Sequence, residues 1–169
     1  IKRGVFAVPV SHGSIQRSAL ELAARGCHLD LTSFPVAADE DAHPAELALQ
    51  KYLAAGLPPE RVTVSSDGGG CLPVFGADGR MTAMEVGQCS SLLETLARAQ
   101  ELGVPLEQAL PAFTANAADH LRLPRKGRIA PGADADLVVL GAGGAAEEVM
   151  AGGEWLVRGG EPKRRGPFE

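Results

Sequence analysis

Three short apolar segments alternate with two helical segments over the first 65 residues of the chain. Residues 5–10, 27–32 and 61–65 predict strands, because valine, leucine and threonine recur in them. The helical segments between them, residues 14–26 and 44–56, begin with a capping residue or a proline and end with a glycine. Strands connected in this way pair in parallel through right-handed crossovers. The alternation therefore predicts an α/β fold with all three strand carboxyl ends at one edge of a sheet.

A carboxylate and three glycines follow the third of these strands, in the sequence SSDGGG at residues 65–70. In α/β enzymes the loops at the carboxyl ends of parallel strands carry the catalytic groups. The parallel order brings Asp67 to that edge, together with His12 and the pair Thr32 and Ser33. An Asp-Gly pair also starts ordinary turns, so the segment alone leaves both interpretations open. The strand order favours a catalytic role for Asp67.

The middle of the chain predicts a hairpin followed by helices. Apolar segments at residues 73–75 and 81–84 flank an Asp-Gly pair, which is typical of a hairpin turn. Ser91 and Glu94 have the spacing of a capping box and predict the start of a helix. Two shorter helices are then expected, at residues 105–110 and 114–121.

The composition changes near Leu123, where a glycine-rich segment replaces the helical pattern. Residues 137–140 predict a strand, and residues 147–158 predict a hairpin around a Gly-Gly pair. We therefore expect two parts, residues 1–123 with strands and helices and residues 124–169 with strands only.

Charge and cysteine content narrow the classes of function. The formal net charge is −5, which gives no electrostatic support for binding nucleic acid or an anionic membrane. No apolar segment approaches the length of a membrane span. The three cysteines lack Cys-x-x-Cys spacing, which favours reduced thiols in a cytoplasmic compartment. Because the chain starts with Ile1, directly on an apolar segment, we expect that it begins partway through a larger protein.

The segment KGRIAPGADADLVVL, residues 126–140, resembles the closing segment of the amidohydrolase superfamily. In those enzymes the chain leaves a metal-dependent (β/α)8 barrel there and returns to a small β-sandwich. Three further segments resemble the isoaspartyl (β-aspartyl) dipeptidases of that superfamily, at residues 19–33, 56–70 and 91–95. The resemblance implies that residues 1–123 contain the last three barrel strands and that residues 124–169 close the sandwich. It also implies hydrolysis of the β-aspartyl amide bond of a small dipeptide, a binuclear zinc centre and a homo-oligomer.

The same resemblance assigns roles to four residues. Asp67 ends the eighth barrel strand, where the family has a zinc ligand that also accepts the proton of the attacking water. His12 ends the sixth strand, where the family has a zinc-binding histidine. Gly70 and Cys71 occupy substrate-binding positions, although the family carries a serine in place of Cys71. The first-strand His-x-His pair, the carboxylated lysine and the fifth-strand histidine have no counterpart in this chain. We therefore expect little activity from the chain alone.

Two alternatives remain open from the sequence. The chain could be a non-catalytic remnant of a broken barrel that serves as an interaction module, because the segment after His12 is shorter than in the family and half of the barrel is missing. It could also belong to an amidohydrolase of another substrate, such as a D-aminoacylase or a cyclic-amide hydrolase, because Cys71 differs from the family pattern. We interpret His28 as a structural histidine of the second strand, and His120 as a surface residue.

Overall fold

A computed structural model describes residues 5–8, 13–33, 43–76 and 78–164, with the main chain alone for 5–8 and 13–17. Its strands are β1 Val5–Val8, β2 His28–Thr32, β3 Val62–Ser65, β4 Cys71–Phe75, β5 Met81–Val86, β6 Leu137–Leu140, β7 Ala146–Ala151, β8 Glu154–Arg158 and β9 Glu161–Pro162. Its helices are α1 Gly13–Ala24, α2 Ala45–Ala54, α3 Ser91–Glu101, α4 Leu106–Phe113 and α5 Ala115–His120, with a 3-10 turn at Pro59–Arg61. None of the helices in these ranges combines the length and apolar character needed to cross a membrane.

The first three strands form a parallel sheet in the order β1-β2-β3. Leu29 of β2 is in register with Val62 of β3, and Thr32 with Ser65. The predicted parallel pairing and the mixed α/β class are thereby confirmed. The finer assignment, the last three strands of a barrel, remains a prediction.

One face of the sheet belongs to an apolar core shared with the helices. Leu29 and Val62 are 2% and 1% exposed, and Leu49 of α2 is completely buried. The core also includes residues of α1, α3 and α4, which contribute Ala19, Ala23, Leu96, Ala99, Ala109 and Ala112. At about 25 cal/mol per Å² of apolar area, burial of this kind is the main favourable term that holds the helices against the sheet.

The opposite face of the sheet carries polar side chains, because polar residues alternate with the apolar ones along β2 and β3. The Asp30 carboxylate accepts a hydrogen bond of 2.6 Å from the Thr63 hydroxyl and another from the Ser65 hydroxyl. Thr63 is only 6% exposed, so its hydroxyl requires such a partner. These side-chain bonds join β2 to β3 in addition to the backbone ladder.

Two antiparallel sheets follow the parallel one. Strands β4 and β5 form the predicted hairpin, with Cys71 opposite Val86. Strands β6 to β9 form a four-stranded sheet in chain order, which includes the predicted hairpin β7–β8 and a short strand β9 that the sequence did not predict. The division at Leu123 remains a prediction, as does the β-sandwich.

The predicted capping box at Ser91 and Glu94 is wrong. Helix α3 begins at Ser91, its N-cap is Ser90, and Ser90 makes no side-chain capping bond. The Ser91 hydroxyl instead lies 2.6 Å from the hydroxyl of Ser33, which is buried after β2. A tertiary hydrogen bond has therefore replaced the local one.

Candidate functional site

A tight turn follows β3 and carries Asp67. The Gly70 amide donates a hydrogen bond of 2.8 Å to the Asp67 carbonyl, which closes the turn. Asp67 has a φ of 47°, in the left-handed region that aspartate tolerates better than most residues. Its side chain is exposed at the carboxyl end of the parallel sheet. The position agrees with the one that the strand order predicted.

Gly70 lies directly against the Asp67 carboxylate. A Cβ atom on Gly70 would be 2.6 Å from Asp67 Oδ2 and 2.8 Å from Cγ, well inside contact distance. Any larger residue at position 70 would push the carboxylate away from its present place. Position 70 therefore requires a glycine if the Asp67 carboxylate is to keep its place. That Gly70 binds substrate remains a prediction.

The base of the β4–β5 hairpin closes onto the same turn. The Gly69 amide donates to the Gly87 carbonyl, and the Gly87 amide donates to the Gly70 carbonyl, both at 2.9 Å. Cys71 is the first residue of β4 and its free thiol is exposed beside the turn. The hairpin thus places Cys71 near Asp67 and ties the turn to a segment 20 residues further along the chain.

The structure brings together Asp67, Gly70 and Cys71, whereas His12 lies outside the described residues. Within the described ranges, no three His, Cys, Asp or Glu side chains converge as a metal site requires. Because protein-bound zinc takes three or four protein ligands, this part of the chain does not by itself fit a zinc centre. Asp67 is one oxygen donor of a suitable type.

A cavity of about 230 Å³ with a mixed polar and apolar wall lies beside the turn and extends toward the first turns of α2 and α3. Its wall includes Ser66 and Gly87 from the turn region and the carboxylates of Glu46 and Glu94. The Arg98 guanidinium is 3.9 Å from Glu46 and 3.4 Å from Glu94. Among the described wall residues Arg98 is the one cation, whereas Glu46, Glu85 and Glu94 supply three carboxylates. The wall therefore offers no excess of positive charge for an anion.

A histidine pair occupies the other edge of the sheet, where β2 begins. The rings of His28 and His120 are 4.3 Å apart between centroids, and His28 Nε2 is 3.3 Å from the Thr63 hydroxyl. The pKa of His28 is lowered by burial and, secondarily, by His120 and Arg61, while Asp30 opposes the shift. His28 is thus the structural histidine that the sequence predicted. The exposed His120 packs on it, a contact that the surface assignment did not include.

Asp30 is the site-adjacent residue that sequence reasoning missed. It shares the polar face of the sheet with Ser65, two residues before Asp67. The alternation of His28, Asp30 and Thr32 with leucines was visible in the sequence. It did not indicate which partners on β3 Asp30 would bind.

Comparison with known proteins gives a family and a set of similar structures. Residues 6–156 match the amidohydrolase family. The fold is similar to that of β-aspartyl dipeptidase from Fervidobacterium islandicum AW-1, solved in complex with a β-Asp-Leu dipeptide, with a TM-score of 0.81 and 31% identity over 98% of this chain. A second structure of β-aspartyl dipeptidase from this organism gives a TM-score of 0.77 at 30% identity, also over 98% of this chain. The chain spans 42% and 40% of the lengths of those two chains.

More distant or more local similarities extend to two other proteins. N-acetylglucosamine-6-phosphate deacetylase from Thermotoga maritima has a TM-score of 0.54 at 15% identity, over 91% of this chain and 59% of its own, a likeness of fold alone. A local match of 43 residues is 58% identical to imidazolonepropionase from Anaeromyxobacter sp. strain K, over 25% of this chain and 10% of that protein.

Proposed function

The chain belongs to the amidohydrolase family, and on that premise we propose that it is part of a hydrolase that cleaves the β-aspartyl amide bond of dipeptides. The observation that carries the proposal is the position of Asp67. Its carboxylate stands exposed at the carboxyl end of β3, in a turn where Gly70 makes room for it. The similarity at a TM-score of 0.81 to a dipeptidase bound to β-Asp-Leu supports the choice of substrate.

In the proposed reaction Asp67 acts as the general base. Its carboxylate accepts a proton from a water molecule while the water oxygen adds to the amide carbon of the substrate. The tetrahedral intermediate then expels the amine, which takes up this proton from the Asp67 carboxyl group as the carbon–nitrogen bond breaks. General-base assistance of this kind contributes about 10²- to 10⁴-fold to the rate. Gly70 and Cys71, at the start of β4, are proposed to contact the substrate.

Zinc dependence is proposed from the resemblance, with Asp67 and His12 as the ligands that this chain would supply. A divalent metal would polarise the amide carbonyl and the attacking water. Because the described residues do not complete such a centre, no step is assigned to the metal. We also propose that residues 1–123 are the end of a (β/α)8 barrel, that residues 124–169 are the closing segment of a β-sandwich, and that the full-length protein is a homo-oligomer.

The test is hydrolysis of β-Asp-Leu and α-Asp-Leu by the full-length protein, with and without added zinc. We expect turnover of the β-linked dipeptide alone. Asp67→Asn should lower kcat/KM by about 10³-fold, because an amide keeps the shape of the side chain but does not accept the proton. The matched control is Asp78→Asn, whose side chain is exposed at the tip of the β4–β5 hairpin and, among the described residues, pairs with Arg80. It should leave kcat/KM within about twofold.

The outcomes separate the competing functions. Absence of turnover of either dipeptide would contradict the proposal and favour the non-catalytic interaction module. Turnover of an N-acyl-D-amino acid or a cyclic amide instead would keep the family and change the substrate. Retention of activity in Asp67→Asn would remove Asp67 from the role of base.

A further inference from the structure

The end of the β4–β5 hairpin is hydrogen-bonded to the turn that carries Asp67. We propose that Gly87 is a positioning residue for Asp67, because a side chain at position 87 would overlap the space that the Asp67 carbonyl occupies. The inference rests on the proposed function of Asp67. Gly87 lies on a different segment, directly after the last residue of β5. It would act on the reacting groups only through the position of Asp67.

The space at Gly87 is filled by backbone atoms. A Cβ atom on this residue would lie 2.5 Å from the Asp67 carbonyl oxygen, 3.3 Å from the Asp67 carbonyl carbon and 3.6 Å from the Ser66 carbonyl oxygen. Main-chain atoms do not rotate away as the end of a long side chain does. Gly87 is buried and is absent from the described glycines with positive φ. Its requirement is therefore for space and not for an unusual conformation.

Three consecutive hydrogen bonds transmit the position of Gly87 to the acid. Gly69 donates to Gly87, Gly87 donates to Gly70, and Gly70 donates to the Asp67 carbonyl. Relief of a 2.5 Å contact requires the Asp67 carbonyl and residue 87 to separate by about 1 Å. The carboxylate lies against Gly70 and would move with the turn. A misplacement of about 1 Å in a catalytic group can lower the rate by about 10²-fold.

The test compares Gly87→Ala with Gly76→Ala in the full-length protein. Gly76 lies in the same hairpin, near its tip, and a Cβ atom there would approach the side chains of Asp78 and Thr82 at 3.1 Å, which can move. For β-Asp-Leu we expect Gly87→Ala to lower kcat by about 10²-fold with KM within about threefold. Gly76→Ala should change neither. In an Asp67→Asn background, Gly87→Ala should lower kcat no further, whereas a purely structural effect would add to that of Asp67→Asn.

Crystal structures of the two glycine variants give a readout that does not depend on activity. In Gly87→Ala the Asp67 carbonyl should be displaced and the φ angle of Asp67 should leave the left-handed region. In Gly76→Ala the Asp67 turn should have the same structure as in the wild type. Absence of dipeptidase activity in the wild-type protein would overturn the proposed function but leave this geometric result to support the positioning role. An unmoved Asp67 in Gly87→Ala would overturn the inference, as would an unchanged kcat in an active enzyme.

If Gly87→Ala does not fold, hydrogen exchange of the wild-type protein replaces it. The amides of Gly70 and Gly87 should be strongly protected, since both lie in the hydrogen-bonded turn. Exchange of these amides at the rate of an unstructured peptide would overturn the inference.

Discussion

The side chain of Asn116 provides a quantitative test of how β3 is held. Asn116 lies in α5 and is 6% exposed. Its Nδ2 donates hydrogen bonds of 2.7 Å to the Pro59 carbonyl and 2.8 Å to the Val62 carbonyl. Val62 is the first residue of β3, the strand whose other end leads to Asp67. The amide therefore connects α5 to the start of the strand that carries the candidate base.

The expected cost of removing this amide follows from the two bonds. Each net hydrogen bond contributes about 1 kcal/mol, and the carbonyl groups that remain buried lose their donor. Asn116→Ala should therefore lower the free energy of unfolding by about 2 kcal/mol, or about 30-fold in the equilibrium constant. Asn116→Asp keeps the shape but places a carboxylate against two carbonyl oxygens. It should cost at least as much as Asn116→Ala.

The assay is urea unfolding of the full-length protein, monitored by circular dichroism. The free energy of unfolding is taken from the transition in which α5 unfolds. The control is Gln50→Ala, which removes a hydrogen bond of 2.6 Å to the Leu102 carbonyl at an exposed position. It should cost under about 0.5 kcal/mol. If Asn116→Asp is much milder than Asn116→Ala, packing and not hydrogen bonding dominates at this position and the reasoning is refuted.

Two further predictions concern pH. Burial and His120 lower the pKa of His28 below its ordinary 6.5. Because the unfolded state then binds more protons than the folded state near this pH, the free energy of unfolding decreases as the pH falls through and below 6.5. Above 6.5 the contribution of neutral His28 to stability is fully present. His28→Gln should weaken this decline in urea midpoints measured at about pH 7.5 and pH 5, and an unchanged slope would contradict the assignment. Burial raises the pKa of Tyr52 from 10.0 to about 12, and its hydroxyl donates to the Pro58 carbonyl at 2.8 Å. The free energy of unfolding should therefore decrease as the pH rises from about 10 toward 12, and it should decrease less in Tyr52→Phe. Phenolate absorbance that appears already near pH 10 in the folded wild-type protein would contradict the raised pKa.

The predictions that the structure confirmed depend on local patterns. Alternating apolar and polar residues identified β2 before the fold was known, and the Asp-Gly pair identified the β4–β5 hairpin. The alternation of strands and helices restricted the topology to parallel pairing, which placed Asp67 at the carboxyl edge. The segment at residues 126–140 indicated the amidohydrolase family, which the family match over residues 6–156 confirmed.

The predictions that failed or were missed depend on partners distant in sequence. Ser91 has the spacing of a capping residue, yet its hydroxyl bonds to Ser33, 58 residues away. The partners of Asp30 on β3 are 33 and 35 residues away. Spacing within a segment contains no information about such contacts, because they exist only after the strands have paired.

The Asp67 turn shows the same division. By itself the sequence determined that an acid and three glycines follow a strand, and that parallel order brings the acid to the edge where such folds carry catalytic groups. The local turn places Gly70 against the carboxylate, but only the tertiary structure decided that Gly87, from the end of a hairpin, makes room for the carbonyl of Asp67. The physical reason is that excluded volume acts between atoms close in space, and residues 67 and 87 become neighbours only when the hairpin closes onto the turn.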